Sequence, residues 1–140
     1  MLHLSGDDFH SMAEWARSHA PEEACGLLAG YRDEEEGEAF VEHVLFCENA
    51  DHTAEHFTIL PREQLKVLKE ARSSGIEILG NWHSHPETPA RPSEEDLRLA
   101  QDPSAIYCII SLEAPAWPSI VAYQKDASGA VSRVLVSHDA

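Results

Sequence analysis

Two histidines at the end of an apolar segment strongly constrain how this chain folds. Residues 76–82 read Ile-Glu-Ile-Leu-Gly-Asn-Trp, a run typical of a β-strand, and His83 and His85 follow directly. Side chains two residues apart on a strand project from the same face of a sheet, so the two imidazoles are expected to converge. Pro86 and Pro89 cannot continue a ladder, and they turn the chain away from the sheet.

A short helix is expected to bring a carboxylate back to the two histidines. The segment from residue 93 to about residue 100 begins Ser-Glu-Glu-Asp, so Ser93 and Asp96 lie in its first turn. Two neutral imidazoles and one carboxylate, with a fourth position left to water, form the ligand set of a catalytic zinc site. Ser93 and Asp96 also match a helix capping box, and we expect the two roles to compete for the Asp96 carboxylate.

The other segments of the chain predict an α/β fold, in which a mixed β-sheet is flanked by helices. Helices are expected at residues 5 to about 19, with Ser5 or Asp7 capping the first, and at residues 61–72, where Pro61 opens the second. Strands are expected at residues 24–29 and 40–45, which flank the acidic turn 33–38 as a hairpin, and at 57–60, 106–111, 120–124 and 131–136.

Length and charge limit the number of domains and the class of partner. A chain of 140 residues is expected to form one domain, residues 1–140. Its formal charge of -15 repels phosphate backbones and anionic lipids, so neither nucleic acid nor a membrane is expected as a partner. The first residues lack a signal-peptide pattern, which favours a cytoplasmic location. Cys25, Cys47 and Cys108 match neither a disulfide framework nor a CxxC motif, which indicates reduced, buried thiols.

The acidic excess suggests a hypothesis about the solvent. Asp and Glu number 25 against 10 Lys and Arg, while 43% of the residues are hydrophobic, so the charge does not indicate disorder. Such a surface suits high salt, where self-repulsion is screened. The melting temperature is therefore expected to be higher in molar salt than in dilute buffer, and an unchanged melting temperature would contradict the hypothesis.

A second group of residues becomes informative through a family resemblance. Glu22 and Glu23 precede an apolar strand, and by themselves they fit a solvated turn. The motifs Glu23-x-Cys-Gly-Leu-Leu-x-Gly, Gly-x-x-His83-Ser-His85-Pro and Ser93-x-x-Asp96 together resemble the JAMM (MPN+) family of zinc metalloproteases. The resemblance implies an MPN/cytidine-deaminase-like architecture.

By position, the resemblance implies a role for five residues. His83, His85 and Asp96 would bind one Zn²⁺ per chain. Glu23 would be the general acid and base, and Ser93 would donate a hydrogen bond to the tetrahedral oxyanion. Glu22 is then interpreted as a surface carboxylate.

The resemblance also implies a substrate class. Family members hydrolyse amide or isopeptide bonds, often after the C-terminal glycine of a ubiquitin-like protein. The short spacing after His85 is similar to that of compact prokaryotic members, some of which are linked to ubiquitin-like sulfur carriers. The tail of such a carrier is expected to lie as a strand near the metal, with Trp82 or Phe57 against it. Burial in the core is the favoured interpretation for Trp82.

Two rival interpretations remain at this point. A mononuclear non-haem iron enzyme also uses two histidines and one carboxylate, although its usual motif spaces them differently from His83, His85 and Asp96. An inactive scaffold on the same fold is the other rival, and the presence of all five motif residues argues against it. His52 and His56 are interpreted as surface residues, and Cys25 as an inert thiol on a buried strand. The oligomeric state stays open.

Overall fold

The computed structural model describes residues 1–53, 57–114 and 116–138. The strands of these residues form one continuous sheet. Its elements are β1 (Leu2–His3), α1 (Gly6–His19), β2 (Cys25–Asp33), β3 (Glu38–Cys47), α2 (Pro61–Ser73), β4 (Glu77–His85), α3 (Glu94–Leu99), β5 (Ile106–Ser111), β6 (Ser119–Lys125), β7 (Val131–Val134) and β8 (Val136–Ser137). The described strands have the order β7-β6-β5-β4-β2-β3-β1-β8. Since β4 pairs parallel with β5 and antiparallel with β2, the predicted mixed sheet with flanking helices is confirmed. Among the described helices, none is both long and apolar enough to cross a membrane.

The two faces of the sheet are covered in different ways. One face packs on α1 through the largest core cluster, which contains Met12, Leu28 and Trp82. On the other face, His83 is paired with Cys25 of β2 and with Ile109 of β5, and paired residues share a face. Those two neighbours belong to separate apolar clusters. His83 therefore lies between the two clusters, on the face opposite α1.

The tryptophan before the first histidine is buried at the centre of the sheet and bonds to a neighbouring strand. Trp82 has no exposed surface, and its Nε1 donates a hydrogen bond to the Leu45 carbonyl at 3.2 Å. Only glycine fits at position 26, because a Cβ there would lie 1.8 Å from the Leu45 oxygen and 2.4 Å from the Trp82 Nε1. The core interpretation of Trp82 is confirmed, and the alternative contact with a carrier tail is wrong.

Most of the predicted elements are present with longer or shifted ends. The α1 helix has Ser5 as its N-cap, whose side chain accepts a hydrogen bond from Asp8 N at 3.0 Å. The predicted last strand is divided at Leu135 into β7 and β8, and β8 pairs with the unpredicted two-residue β1.

The strand predicted at residues 57–60 is wrong. This segment hydrogen-bonds to its own loop instead of to a neighbouring strand. Thr58 N donates to the Asn49 side-chain oxygen at 3.1 Å, and Ala50 N donates to the Thr58 carbonyl at 2.9 Å. The apolar pattern belongs to a loop folded onto the sheet, with Leu60 at the N-cap position of α2.

The three cysteines are free and buried, as predicted. Burial raises the pKa of Cys25, Cys47 and Cys108 to about 12, so almost none of each thiol is ionised near neutral pH. Cys25 lies directly opposite Cys47 in the β2–β3 pair. All three thiols therefore act as small apolar side chains.

Candidate metal centre

The two histidines of β4 converge as the strand periodicity predicts. His83 is 2% exposed and His85 is 6% exposed, and their Nε2 atoms lie 3.2 Å apart. The Phe57 ring stacks on the His83 ring with 4.8 Å between centroids, which helps to fix the orientation of the imidazole.

Asp96 approaches the histidines from the first turn of α3. Its Oδ1 lies 3.2 Å from His83 Nε2, and its Oδ2 lies 2.9 Å from His85 Nε2. The same Oδ2 accepts a hydrogen bond from Ser93 N at 3.0 Å, which completes a capping box. The expected competition for this carboxylate is wrong, because its two oxygens serve the helix cap and the histidines together. The cap itself aims Asp96 at the imidazoles.

The donor set at this point fits a zinc ion. His85 Nδ1 lies 2.9 Å from the Pro89 carbonyl, which can only accept, so Nδ1 carries a proton and the neutral ring keeps a lone pair on Nε2. The ligand atoms of His83, His85 and Asp96 all lie within 4.8 Å of one another. Tetrahedral zinc with bonds of about 2.0 Å requires ligand atoms roughly 3.3 Å apart. Without a metal ion, hydrogen bonds from the histidine rings to Asp96 hold the three side chains together, and a bound cation would take the place of those bridging protons.

Burial and hydrogen bonding set the charge states of the ligands. Burial lowers the pKa of His83 and so favours the neutral imidazole that binds metals. For His85, burial acts in the same direction, but the hydrogen bonds to Asp96 and Pro89 outweigh it and raise the pKa. Burial also opposes ionisation of Asp96, yet hydrogen bonds with both histidines hold its pKa far below the usual range.

Glu23 reaches the site through the pairing of β2 with β4. Cys25 pairs with His83, so continuing the antiparallel register by two residues puts Glu23 opposite His85 on the same face. Glu23 is 2% exposed, and its Oε1 has no hydrogen-bond partner among the described residues. Burial raises the pKa of Glu23 to about 8, while His85 lowers it and Asp96 raises it. A buried carboxyl group with an unpartnered oxygen beside a metal ligand set is suited to proton transfer.

Ser93 lies at the solvent-exposed edge of the same turn. Its Oγ accepts the hydrogen bond of Asp96 N at 3.0 Å, and the hydroxyl proton can still be donated to another group. The structure thus brings Ser93 next to Asp96. Its role toward an oxyanion stays a prediction.

A cavity of about 270 Å³ opens beside the ligand set. It occupies the space between the two apolar clusters of the metal-side face. Its lining includes His83, Asp96, Asn81, Leu27, Phe57, Thr58, Ile59, Gln64, Leu99, Ala100, Tyr107 and Tyr123.

The comparisons with known proteins agree with the fold. The family described as prokaryotic homologues of the JAB domain matches residues 7–123. The chain belongs to this prokaryotic JAB family. The JAMM resemblance predicted from the motifs is thereby confirmed.

Several known proteins are similar to this chain over most of their length. The CysO-cysteine peptidase of Mycobacterium tuberculosis is 33% identical over 115 residues, which cover 82% of this chain and 76% of that protein. The desampylase of Haloferax volcanii is 32% identical over 114 residues, which cover 79% and 80%. The solution structure of protein DSY2949 from Desulfitobacterium hafniense has a TM-score of 0.87 and 44% identity, covering 99% of this chain and 94% of that one. The names of the two curated relatives, a peptidase and a desampylase, describe hydrolytic enzymes.

Sequence reasoning missed two buried polar residues of this JAB domain. Asn49 is 3% exposed, and its Nδ2 donates to the Glu23 carbonyl at 3.0 Å. Ser84 has no exposed surface and bonds to the backbone next to Glu23. The position of this serine between His83 and His85 gave a signal, because strand periodicity turns it away from the two imidazoles and into the core. No pattern pointed to Asn49, because its contact depends on the fold of a loop.

The structure describes two of the three residues that were interpreted as surface residues. His52 is exposed and lies 3.3 Å from Glu22 Oε2 and 3.5 Å from Glu48 Oε1, as expected of a surface residue. Glu22 is partly exposed, in contrast to its buried neighbour Glu23. His56 lies outside the described residues.

Proposed function

We propose that this protein is a zinc-dependent metallopeptidase that hydrolyses an amide or isopeptide bond at the C-terminal tail of a ubiquitin-like protein, such as a sulfur carrier. The observation that carries the proposal is the convergence of His83, His85 and Asp96 next to the buried carboxyl group of Glu23. A metal-binding site alone needs no such neighbour. Hydrolysis of an amide needs a group that moves a proton from water to the departing amine.

In the proposed reaction, His83, His85 and Asp96 hold the metal ion. When bound, zinc polarises the scissile carbonyl and brings the pKa of the attacking water toward about 7. Glu23 accepts the proton of that water and delivers it to the leaving nitrogen. A divalent cation bound by His83, His85 and Asp96 would favour the ionised form of Glu23, against the effect of burial on its pKa.

Ser93 is proposed to act on the oxygen of the reacting carbonyl. Its Oγ accepts the hydrogen bond of Asp96 N, which leaves the hydroxyl proton free to be donated to the substrate. Donation to an oxygen that gains charge in the transition state is worth about 2–4 kcal/mol at comparable sites.

Shape and charge support a tail as the substrate. The cavity beside the ligands has a volume of about 270 Å³ and apolar lining residues such as Leu27, Phe57 and Tyr107, which suits a short segment of small residues. The relatives are named for CysO-cysteine cleavage and for desampylation, which supports a carrier-type substrate. With a formal charge of -15, this protein is expected to bind a carrier that is neutral or basic around its tail.

Incubation with candidate carriers tests the proposal. The zinc-loaded protein is mixed with carrier fusions that bear an extension after Gly-Gly, and the product masses are measured. We expect a single cut after the last glycine. The same incubation with the Glu23→Gln variant controls for contaminating proteases. Intact fusions, or cuts elsewhere in the chain, would contradict the proposed function.

A further inference from the structure

Ser84 ties together the two strands that carry the site. Its Oγ accepts a hydrogen bond from Ala24 N at 2.8 Å, and its own backbone N donates to the Ala24 carbonyl at 2.9 Å. Both residues are buried, with Ala24 1% exposed and Ser84 fully enclosed. The two hydrogen bonds between Ser84 and Ala24 are therefore shielded from competing water.

The Ser84 hydroxyl takes the place of a ladder bond. The β2 strand begins at Cys25, and the regular pairing with β4 starts at Cys25 opposite His83. In a regular antiparallel pair, Ala24 N would donate to the Ser84 carbonyl. Here the hydroxyl accepts instead, and the pairing extends by one residue to the position next to Glu23. Without it, Ala24 N would be a buried donor lacking its partner.

The backbone sets the direction of the Glu23 side chain. The carboxyl Oε1 has no hydrogen-bond partner among the described residues, so contacts of that oxygen do not orient it. The main chain of Glu23 is held instead, because its N donates to the Thr53 carbonyl at 2.7 Å and its carbonyl accepts from Asn49 Nδ2 at 3.0 Å. Ser84 adds the third restraint, on the following residue.

We propose that Ser84 is a positioning residue, whose hydroxyl fixes Ala24 and thereby the reach of the Glu23 carboxylate toward His85. The inference rests on the proposed function, in which Glu23 transfers the proton. Ser84 faces away from the metal ligands, so it touches neither zinc nor substrate. Its effect passes through the backbone alone.

The Ser84→Ala variant measures this role. A displacement of about 1 Å in a reacting group can cost on the order of 100-fold in rate, so we expect kcat to fall about 10- to 100-fold. KM and zinc content are expected to stay at the wild-type values, because the cavity and the ligands are unchanged. Hydrogen exchange of the Ala24 amide, followed in the zinc-loaded protein, is expected to become faster.

Two further variants separate positioning from general stability. Ser84→Thr keeps a hydroxyl on the same carbon atom and is expected to restore kcat to within about 3-fold of wild type. Ser5→Ala also removes a serine hydroxyl that accepts a backbone N–H, but it does so at the α1 cap on the opposite side of the sheet. It is expected to lower the melting temperature and leave kcat unchanged.

The outcomes that overturn the inference are distinct from those that overturn the proposed function. The inference is wrong if Ser84→Ala turns over within 2-fold of wild type while Glu23→Gln is inactive. It is also wrong if Ser84→Ala loses zinc, or if Ser84→Thr is no better than Ser84→Ala. A fully active Glu23→Gln would instead contradict the proposed function, and the inference would fail with it.

Discussion

Replacing Glu23 by glutamine is expected to abolish most turnover while the protein keeps its zinc. Glutamine has nearly the same shape as glutamate, but it cannot accept the proton of the attacking water or return it to the leaving amine. General acid–base catalysis contributes about 10²–10⁴-fold to rate, and a loss of this size is expected in kcat. Zinc content should stay at the wild-type level, because the metal-binding group is His83, His85 and Asp96. The measurement is carrier-tail cleavage alongside metal analysis of the same sample.

The neighbouring residue supplies a matched control. Glu22→Gln makes the same chemical change one position earlier, on a side chain that is partly exposed and lies 3.3 Å from His52 at the surface. We expect wild-type kcat from this variant. Full activity of Glu23→Gln, or equal losses in both variants, would show that Glu23 is not the proton-transfer group.

The Glu23→Gln substitution is also expected to change how the stability of the metal-free protein depends on pH. Burial raises the pKa of Glu23 to about 8 in the folded chain, from an ordinary value of 4.5. The folded state then binds more protons than the unfolded state between these values, so this group lowers stability as pH rises from about 4.5 to about 8. Glutamine does not titrate, so Glu23→Gln should lose less stability than wild type over this window. Thermal unfolding of both proteins without metal, at pH 5 and pH 8, measures the difference.

The ligand set was predictable because each of its parts depends on local geometry. The spacing of His83 and His85 on a strand puts them on one face whatever the rest of the chain does. The capping pattern of Ser93 and Asp96 fixes the start of α3, and the structure shows that the same cap orients the carboxylate. Only the return of the helix over the histidines is a long-range event, and the prolines after His85 indicated it.

The environment of Glu23 depended on pairings that local patterns do not contain. The motif resemblance identified the residue, but its place opposite His85 follows from the register of β2 on β4. The restraints from Asn49 and Thr53 arise in a loop that the sequence analysis had partly assigned to a strand. Residues 57–60 have the apolar composition of a strand because they cover Cys25 and Leu27 in a small core cluster. The apolar residues of such a segment predict that it is buried, but they do not predict its hydrogen-bond partners.

Removing one ligand is expected to remove the metal. His83→Ala leaves two protein ligands and takes away an imidazole that is 2% exposed, so zinc affinity should fall by at least about 100-fold. Wild-type protein should be stabilised by zinc, by about 4 kcal/mol when free zinc is 1,000 times the dissociation constant. The variant should show almost none of this stabilisation.

Thermal unfolding with and without zinc measures both effects, and His52→Ala is the matched control. His52 is an exposed histidine outside the ligand set, so its replacement should leave the zinc-dependent shift unchanged. Supplying iron(II) and zinc(II) together during purification extends the same experiment to the rival functions. Selective retention of iron would favour the non-haem iron enzyme, and a wild-type protein that binds neither metal tightly would favour the inactive scaffold. Retention of zinc that depends on His83 and not on His52 is the result expected if the converging atoms of His83, His85 and Asp96 bind the metal.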